Sequence, residues 1–429
     1  MRITEERSST WFGQPRGLTV LFLTNMWEQF SYYGMRTLLV YYMTKQLLMS
    51  QQQSSLVYGA YTACAYFTPI VGGVIADRLL GKRRAVVLGA SIMAAGHFMM
   101  AFESLFYIAL LTIALGNGLF LPSLPSQIND LYKAGDPRRG WAYNVYYVGI
   151  NIGGFIAPLI CGTLGEFYGW HYGFGAAGIG MFAGLIIYLW GQRYLPPEPP
   201  RVPTVDMPAA RWVDHKRTFM VLAGIALSVT VFRGAYEQVG NTVALWADTG
   251  LDRSAGSFVI PMTWFQSLNP LLVMLMTPPL LNYWRRRADA GQDTSPARRM
   301  ALGAAIVAGA YLLLAMVEWS GGGAKATWLW FVMFFAIFTL GELFVLPTGL
   351  GLFARLAPPR LGATTVAAWY LAIFTGSLSA GMVGMLWSRT SHGAFFALLG
   401  LIALASALLL RSLDGQVRKV DPTWKPDID

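Results

Sequence analysis

Apolar residues in this chain fall into twelve long runs, and all but one reach the roughly 20 residues that an α-helix needs to cross a bilayer. The runs cover residues 17–44, 54–79, 84–102, 105–131, 141–165, 172–193, 217–246, 257–284, 299–318, 327–354, 362–387 and 391–412. Since a helix satisfies its own backbone hydrogen bonds in lipid, the pattern predicts an all-α membrane protein with 12 transmembrane helices.

The longest polar break separates the sixth run from the seventh, at residues 193–217, and it contains a Pro-rich stretch typical of an extended linker. Six helices on each side of a central linker resemble the layout of the major facilitator transporters, in which two bundles rock about a site at the bilayer midplane. The predicted domains are a six-helix bundle over 1–193, a cytoplasmic linker over 194–216, a second six-helix bundle over 217–412 and a cytoplasmic tail over 413–429.

Charge placement predicts the orientation of the chain. Only 13% of residues are charged and 55% are hydrophobic, whereas soluble domains average about 25% charged residues. The N-terminus, alternate loops and C-terminal tail hold 26 of the 32 Lys and Arg residues, and the opposite loops hold only four. This asymmetry predicts that both termini are cytoplasmic, and it explains the net charge of +10 without a nucleic-acid partner.

Two further features of the sequence carry simple expectations. The first sixteen residues are polar and the first apolar run is too long for a signal peptide, so we expect no cleaved leader. The two cysteines, Cys64 and Cys161, lie inside apolar runs without metal-ligand spacing, and we expect both to be packing residues.

The first apolar run carries a row of polar side chains that indicates a site. On a helix, Glu28, Tyr32 and Arg36 share one face at four-residue intervals, and Asn25, Gln29 and Tyr33 form the adjoining row. A charge at membrane depth costs about 3 kcal/mol on insertion scales, so this face must contact protein or water.

A loop motif follows the second run. The sequence Gly73-Val-Ile-Ala-Asp77-Arg78-Leu-Leu-Gly81-Lys-Arg83-Arg84 matches the major facilitator loop signature at every position. Its glycines allow a tight turn and a close approach of helices. The resemblance implies that four charged residues serve gating, with Asp77 pairing with arginines when the cytoplasmic side is shut: Asp77, Arg78, Arg83 and Arg84.

Further motifs resemble those of the proton-dependent oligopeptide transporter (POT/PTR) family of the major facilitator superfamily. The motifs are Asn25–Arg36 in the first helix, Tyr146-Tyr147-Val-Gly-Ile-Asn151-Ile-Gly153-Gly154 in the fifth, Phe232-Arg233-Gly-Ala-Tyr236-Glu237-Gln238 in the seventh, Trp264-Phe265-Gln266-Ser-Leu-Asn269-Pro270 in the eighth and Gly341-Glu342-Leu343-Phe344 in the tenth. They occur in the family's order along nearly the whole chain. We expect Gly153 and Gly154 to be close-packing positions.

The resemblance implies proton-coupled symport of di- and tripeptides, with Arg36 taking the peptide carboxylate and Glu342 the peptide amino group. Asn151 and Asn269 would hold backbone amides, because an amide side chain is both donor and acceptor. Aromatic side chains would form tolerant walls. The predicted substrate-binding set is Tyr32, Tyr33, Arg36, Tyr66, Tyr147, Asn151, Arg233, Gln266, Asn269, Glu342 and Trp369.

The chain departs from the family pattern in its charges. Asn25 and Gln29 stand where the first-helix signature has Glu and Arg, Leu121 replaces a pocket Lys, and Arg233 replaces a Trp. Three carboxyls (Glu28, Glu237 and Glu342) remain within the spans against two guanidiniums, an imbalance that favours a proton on one carboxyl. We hypothesise that Glu28 and Glu237 carry protons, that Arg36 and Arg233 exchange partners as peptide binds, and that both arginines share the peptide carboxylate.

Other functions have less support. No phosphate-binding loop, metal-ligand cluster or nucleophile–base spacing is present, so we expect neither an enzyme nor a cofactor beyond protons. Expected partners are small peptides and the lipid bilayer, and compact loops suggest a monomer in a bacterial inner membrane. Two alternatives stay open: a family member that carries a non-peptide substrate, and an uncoupled facilitator or substrate sensor.

Overall fold

The computed structural model describes residues 9–10, 13–132, 136, 138–198, 216–292, 294–357 and 362–421, and it is almost entirely helical. The α-helices are α1 Arg16–Tyr41, α2 Gln51–Ile75, α3 Lys82–Met99, α4 Phe106–Ser126, α5 Arg138–Ala157, α6 Thr163–Phe167, α7 Trp170–Gly191, α8 Lys216–Tyr236, α9 Thr242–Thr249, α10 Leu268–Asp289, α11 Pro296–Gly321, α12 Trp328–Leu356, α13 Gly362–Gly384 and α14 His392–Val420. A π-helical turn joins α5 to α6, and a 3-10 turn at Glu237–Gly240 joins α8 to α9.

Nine helical segments within the described ranges are long and apolar enough to cross a membrane. The other three long helices, α1, α3 and α10, fall short because they hold more polar side chains. Helix α1 carries Glu28 and Arg36, and α3 begins at Lys82 with three consecutive basic residues. Helix α10 has three consecutive arginines near its C-terminus, Arg285, Arg286 and Arg287. These polar side chains lower the mean hydropathy of the three helices below that of the nine spans, although each helix contains an apolar run.

Strands are short and confined to connections. A hairpin pairs β1 Ser9–Thr10 with β2 Gln14–Pro15, and another pairs β4 Ser254–Ala255 with β5 Phe258–Val259. The strands β3 Leu251–Asp252 and β6 Ala326–Thr327 pair in parallel. The predicted start of the eighth span at residue 257 was wrong, because this apolar stretch forms β5 and helical backbone begins only after Pro261, at Met262. Proline cannot donate a backbone hydrogen bond inside a helix.

Contacts divide the chain into two compact units, and the first comprises Met1–Leu47 and Cys64–Pro203. Within it, α1 packs against α5 and α7, and α3 packs against α4 and α7. Two buried side chains on α1 fix these contacts: Asn25 Nδ2 donates to Tyr146 O at 3.1 Å, and Ser31 Oγ donates to Ala177 O at 2.7 Å. Such bonds orient α1 and therefore its polar face.

The second unit comprises Leu48–Ala63 and Thr204–Asp429. Its helix α11 packs against α12 and α14, α8 packs against α13 and α14, and α10 packs against α12. The N-terminal half of α2 belongs to this unit, because Gly59 lies against the backbone of Gly381 and Ser55 Oγ donates to Asn241 Oδ1 at 3.1 Å. The division into two six-helix bundles at the linker stays a prediction, since residues 199–215 of the linker and 422–429 of the tail lie outside the described residues.

Gly153 allows the close approach of α5 to α1, as its motif predicted. A Cβ at this position would lie 2.3 Å from Met26 O and 2.8 Å from Phe30 N, both backbone atoms. We expect Gly153→Ala to destabilise the protein by about 1–3 kcal/mol through overpacking. Thermal unfolding in detergent tests this, with Gly175→Ala in α7 as the control, because a Cβ there meets nothing within 4 Å. Equal melting temperatures for the two variants would contradict the expectation.

Candidate functional site

In the first unit, Glu28 is a buried carboxyl without a cation. Its side chain is 1% exposed, and Gln29 Nε2 donates to Glu28 Oε2 at 2.7 Å. Within the described ranges no Lys or Arg pairs with Glu28, although Arg36 lies two turns away on the same face of α1. A buried carboxylate is costly without a counter-charge. This setting suits a group that takes up and releases a proton.

The other predicted residues of the first unit lie on three helices. Tyr32 and Tyr33 on α1 form an edge-to-face pair with ring centroids 5.5 Å apart, and Arg36 lies half-buried one turn further along. Tyr66 on α2 is half-buried and Tyr147 on α5 is exposed.

Asn151, on α5, is buried and donates Nδ2 to Tyr147 O of its own helix at 3.0 Å. One of its two amide hydrogens is thus used within α5, and the amide oxygen is the group that suits a peptide N–H.

In the second unit, Arg233 and Glu237 form a buried ion pair one turn apart on α8. Their side chains are 2% and 1% exposed. A serine from α13 joins them, because Arg233 Nη2 donates to Ser377 Oγ at 3.1 Å and Ser377 Oγ lies 3.5 Å from Glu237 Oε1. The guanidinium also lies over the Tyr236 ring, 4.8 Å from its centroid. Arg233 is therefore held on several sides, and Glu237 has the cation that Glu28 lacks.

A second carboxyl of this unit, Glu342 on α12, is held by neutral donors. Tyr236 OH donates to Glu342 Oε1 at 2.7 Å, and Asn269 Nδ2 donates to Glu342 Oε2 at 2.6 Å. Asn269 Nδ2 also lies 3.0 Å from Thr339 Oγ1. Glu342 is half-buried, and these bonds fix both oxygens of its carboxylate. Tyr236 connects this cluster to the Arg233–Glu237 pair, because its ring contacts the Arg233 guanidinium and its hydroxyl donates to Glu342.

Two predicted residues of the second unit are engaged in packing or backbone contacts. Gln266 Nε2 donates to Val239 O at 3.0 Å, which ties the turn before α10 to the turn after α8. Trp369 is 3% exposed, and its ring packs against Phe353 and the backbone of Gly349. A ring so enclosed leaves little surface for a ligand.

The loop motif after α2 forms a tight turn. Gly81 has φ +83°, a left-handed conformation that glycine adopts without strain. Arg83 Nη2 donates to Leu195 O at 2.7 Å, so it anchors the first linker residues. Asp77, Arg78 and Arg84 are exposed.

Comparison with known proteins decides the family. The model of the POT family matches residues 83–207 and 202–402, which together make up more than half of the chain. The chain belongs to the POT family. The prediction of this family and of its all-α major facilitator fold is confirmed.

POT relatives match nearly the full length of this chain. A di-/tripeptide transporter of Lactococcus lactis subsp. cremoris is 30% identical, with 98% of this chain and 99% of the relative covered. The peptide transporter YePEPT of Yersinia enterocolitica subsp. palearctica is 31% identical over 87% of this chain and 88% of its own. The Lactococcus alignment is 494 positions long, so that relative has residues which this 429-residue chain lacks.

Solved structures of POT proteins agree with the fold. The peptide transporter POT in complex with sulfate superimposes with a TM-score of 0.89 at 26% identity, covering 96% of this chain and 97% of its own. A mutant of POT in complex with alafosfalin also has a TM-score of 0.89, at 27% identity and 97% coverage of both chains. This chain is thus an integral membrane transporter, and the family is not one of enzymes.

Sequence reasoning on this POT protein missed three contributors: Tyr236, Thr339 and Ser377. Tyr236 lies inside the seventh-helix motif, and Thr339 lies one helical turn before Glu342, so helical spacing could have indicated both. Ser377 is 144 residues from Arg233, and no pattern in the sequence connects them. The roles assigned to the predicted site residues remain predictions.

Proposed function

We propose that this POT-family protein is a proton-coupled symporter of di- and tripeptides that works by alternating access. The observation that carries the proposal is the Glu342 cluster, in which Tyr236 and Asn269 hold a carboxylate at membrane depth through neutral donors. A carboxylate fixed in this way suits the ammonium group of a peptide, because hydrogen bonds between ionised partners are roughly twice as strong as neutral ones.

Opposite charges support the peptide assignment. A dipeptide is a zwitterion, and the family resemblance assigns its carboxylate to Arg36, whose guanidinium fork can bind a carboxylate with two parallel hydrogen bonds. Relatives named as di-/tripeptide and peptide transporters cover nearly the whole chain. In this proposal the chain is a monomer in a bacterial inner membrane with both termini in the cytoplasm, and protons are its only coupling ion.

The test is uptake of radiolabelled dialanine into proteoliposomes with and without an inward proton gradient. We expect accumulation only with the gradient. Equilibration that ignores the gradient would make the protein a facilitator, and no peptide movement at all would support a non-peptide substrate or a sensor.

Glu28→Gln is expected to abolish gradient-driven accumulation while preserving exchange of peptide across the membrane. Glutamine has nearly the same shape and can still accept a hydrogen bond from Gln29, but its amide does not take up or release a proton. The same proteoliposomes measure both activities.

Glu103→Gln is the matched control for this variant. Glu103 Oε1 also accepts a hydrogen bond from a glutamine, Gln46 Nε2 at 2.6 Å, but it is an exposed residue in the same unit. Its variant should accumulate dialanine like the wild type. If Glu28→Gln and Glu237→Gln both retained uphill uptake, the assignment of these two carboxyls to proton coupling would be wrong.

A further inference from the structure

A half-open cavity of about 490 Å³ lies in the second unit, apart from the Glu342 and Arg233 clusters. Three helices and one loop form it: the last turns of α10, the connection to α11, the first turns of α11, and the last turns of α14. The lining includes Arg287, Gln292, Thr294, Arg298, Leu302 and Arg418. The proposed topology places this end of the unit at the cytoplasmic surface.

Three arginines from three different helices line this cavity, namely Arg287, Arg298 and Arg418. Among the described residues that line it none is acidic, and Asp293, which stands between two of them in the sequence, lies outside the described residues. The nearby carboxylate of Asp414 interacts with Arg418 at 3.2 Å and with Arg411 at 3.1 Å, outside the lining. Bringing like charges together costs free energy, and an anion in the cavity offsets that cost.

Arg287 is held in place before any ligand arrives. Its Nε donates to Gln292 O at 3.2 Å, and its Nη1 donates to Tyr283 OH at 3.1 Å. Arg418 is similarly positioned by Asp414 on its own helix. Arginine forks that are positioned in advance lose less conformational freedom on binding, and their geometry matches the oxygens of a phosphate.

The rest of the lining differs from an ordinary basic surface. Leu302 is 51% exposed and lies one turn after Arg298 on the same face of α11, so the cavity has an apolar wall beside a guanidinium. Its volume lies within the roughly 300–1,000 Å³ typical of ligand pockets and exceeds the needs of a bare phosphate ion. Positive-inside placement alone explains exposed arginines such as Arg285 and Arg286, but not a cavity that gathers three of them.

We propose that this cavity binds a phosphate group at the cytoplasmic surface, with the guanidiniums of Arg287, Arg298 and Arg418 contacting the phosphate oxygens. The phosphate belongs either to the headgroup of an anionic phospholipid, whose chain would lie along Leu302, or to free phosphate from the cytoplasm. This site is separate from the proposed peptide site, and it does not depend on the transport assignment.

The test is native mass spectrometry of the full chain in detergent, mixed with phosphatidylglycerol or with phosphatidylcholine. We expect the wild type to retain phosphatidylglycerol at least about tenfold better, since each charge-assisted contact adds roughly a tenfold factor. Arg298→Gln alone should weaken this preference, and Arg287→Gln combined with Arg298→Gln should abolish it. Excess inorganic phosphate is then added: displacement of the lipid indicates a site that takes free phosphate, and retention indicates a headgroup site.

The matched control is the double variant Arg285→Gln, Arg286→Gln, which removes two exposed arginines from the same helix without touching the lining. It should keep the preference for phosphatidylglycerol. Melting temperatures within a few degrees of the wild type show that each variant is folded. A wild type without lipid preference, or a cavity variant that loses no more than the control, would overturn the proposal.

Discussion

We expect the largest effect on stability from removing one member of the buried Arg233–Glu237 pair. Removing both members should recover most of the stability that a single removal loses. The two side chains are 2% and 1% exposed, so removing either one takes an opposite charge away from a buried charge. Breaking such a pair costs about 3–5 kcal/mol, whereas replacing both partners with uncharged residues of similar volume is often close to neutral. The variants are Arg233→Met, Glu237→Gln and their combination.

Thermal unfolding in detergent measures this double-mutant cycle. Each single variant should lower the melting temperature by roughly 6–10 °C, and the double variant should recover most of that difference. The control cycle uses Lys82 and Asp130 in the first unit, an ion pair at 2.8 Å whose side chains are 25% and 20% exposed. Because water screens it, we expect less than about 1 kcal/mol from each single variant there. A double variant whose loss of stability equals the sum of the two single losses would show that the two charges are not coupled.

Glu342→Gln should give the largest functional effect, by weakening the apparent affinity for dialanine. A hydrogen bond to a charged group contributes about 1.5–3 kcal/mol, which corresponds to roughly a 10- to 150-fold rise in KM. The neutral amide can keep accepting a hydrogen bond from Tyr236, so the fold should tolerate the change. The measurement is the concentration dependence of dialanine uptake into proteoliposomes.

Two comparisons isolate the charge effect at Glu342. N-acetyl-dialanine has no ammonium group, so the wild type and Glu342→Gln should bind it equally weakly. Asp289→Asn, which neutralises an exposed carboxylate at the end of α10, should leave the KM for dialanine unchanged. An unaltered KM for dialanine in Glu342→Gln would exclude this carboxylate as the partner of the peptide amino group.

Helical spacing accounts for the local features of the site. Arg233 and Glu237 are four residues apart, and this spacing alone places them on one face of α8, where the structure pairs them. The motif glycine Gly153 lies where two helix backbones meet. Gly81 ends its helix with the positive φ expected of a turn glycine. Each of these features depends on a few consecutive residues.

Features that depend on distant segments could not be predicted in this way. The spacing places Arg36 on the same helical face as Glu28, but the structure gives Glu28 a neutral partner, Gln29. Asn269 and Glu342, 73 residues apart, contact each other because α10 packs against α12. The start of α10 was misplaced because an apolar stretch that ends at Pro261 forms a short hairpin strand, and apolar composition alone does not distinguish strand from helix.

The amino-acid sequence by itself determined the number and order of the apolar runs, the asymmetry of basic charge and the presence of ionisable residues at membrane depth. These properties follow from the cost of placing polar groups in lipid, and that cost acts on each segment separately. Only the tertiary structure decided which side chains of other helices reach these charges: Ser377 for Arg233, and Tyr236 and Asn269 for Glu342. The physical reason is that a hydrogen bond spans only about 3 Å, so its partners are chosen by how helices pack and not by their separation along the chain.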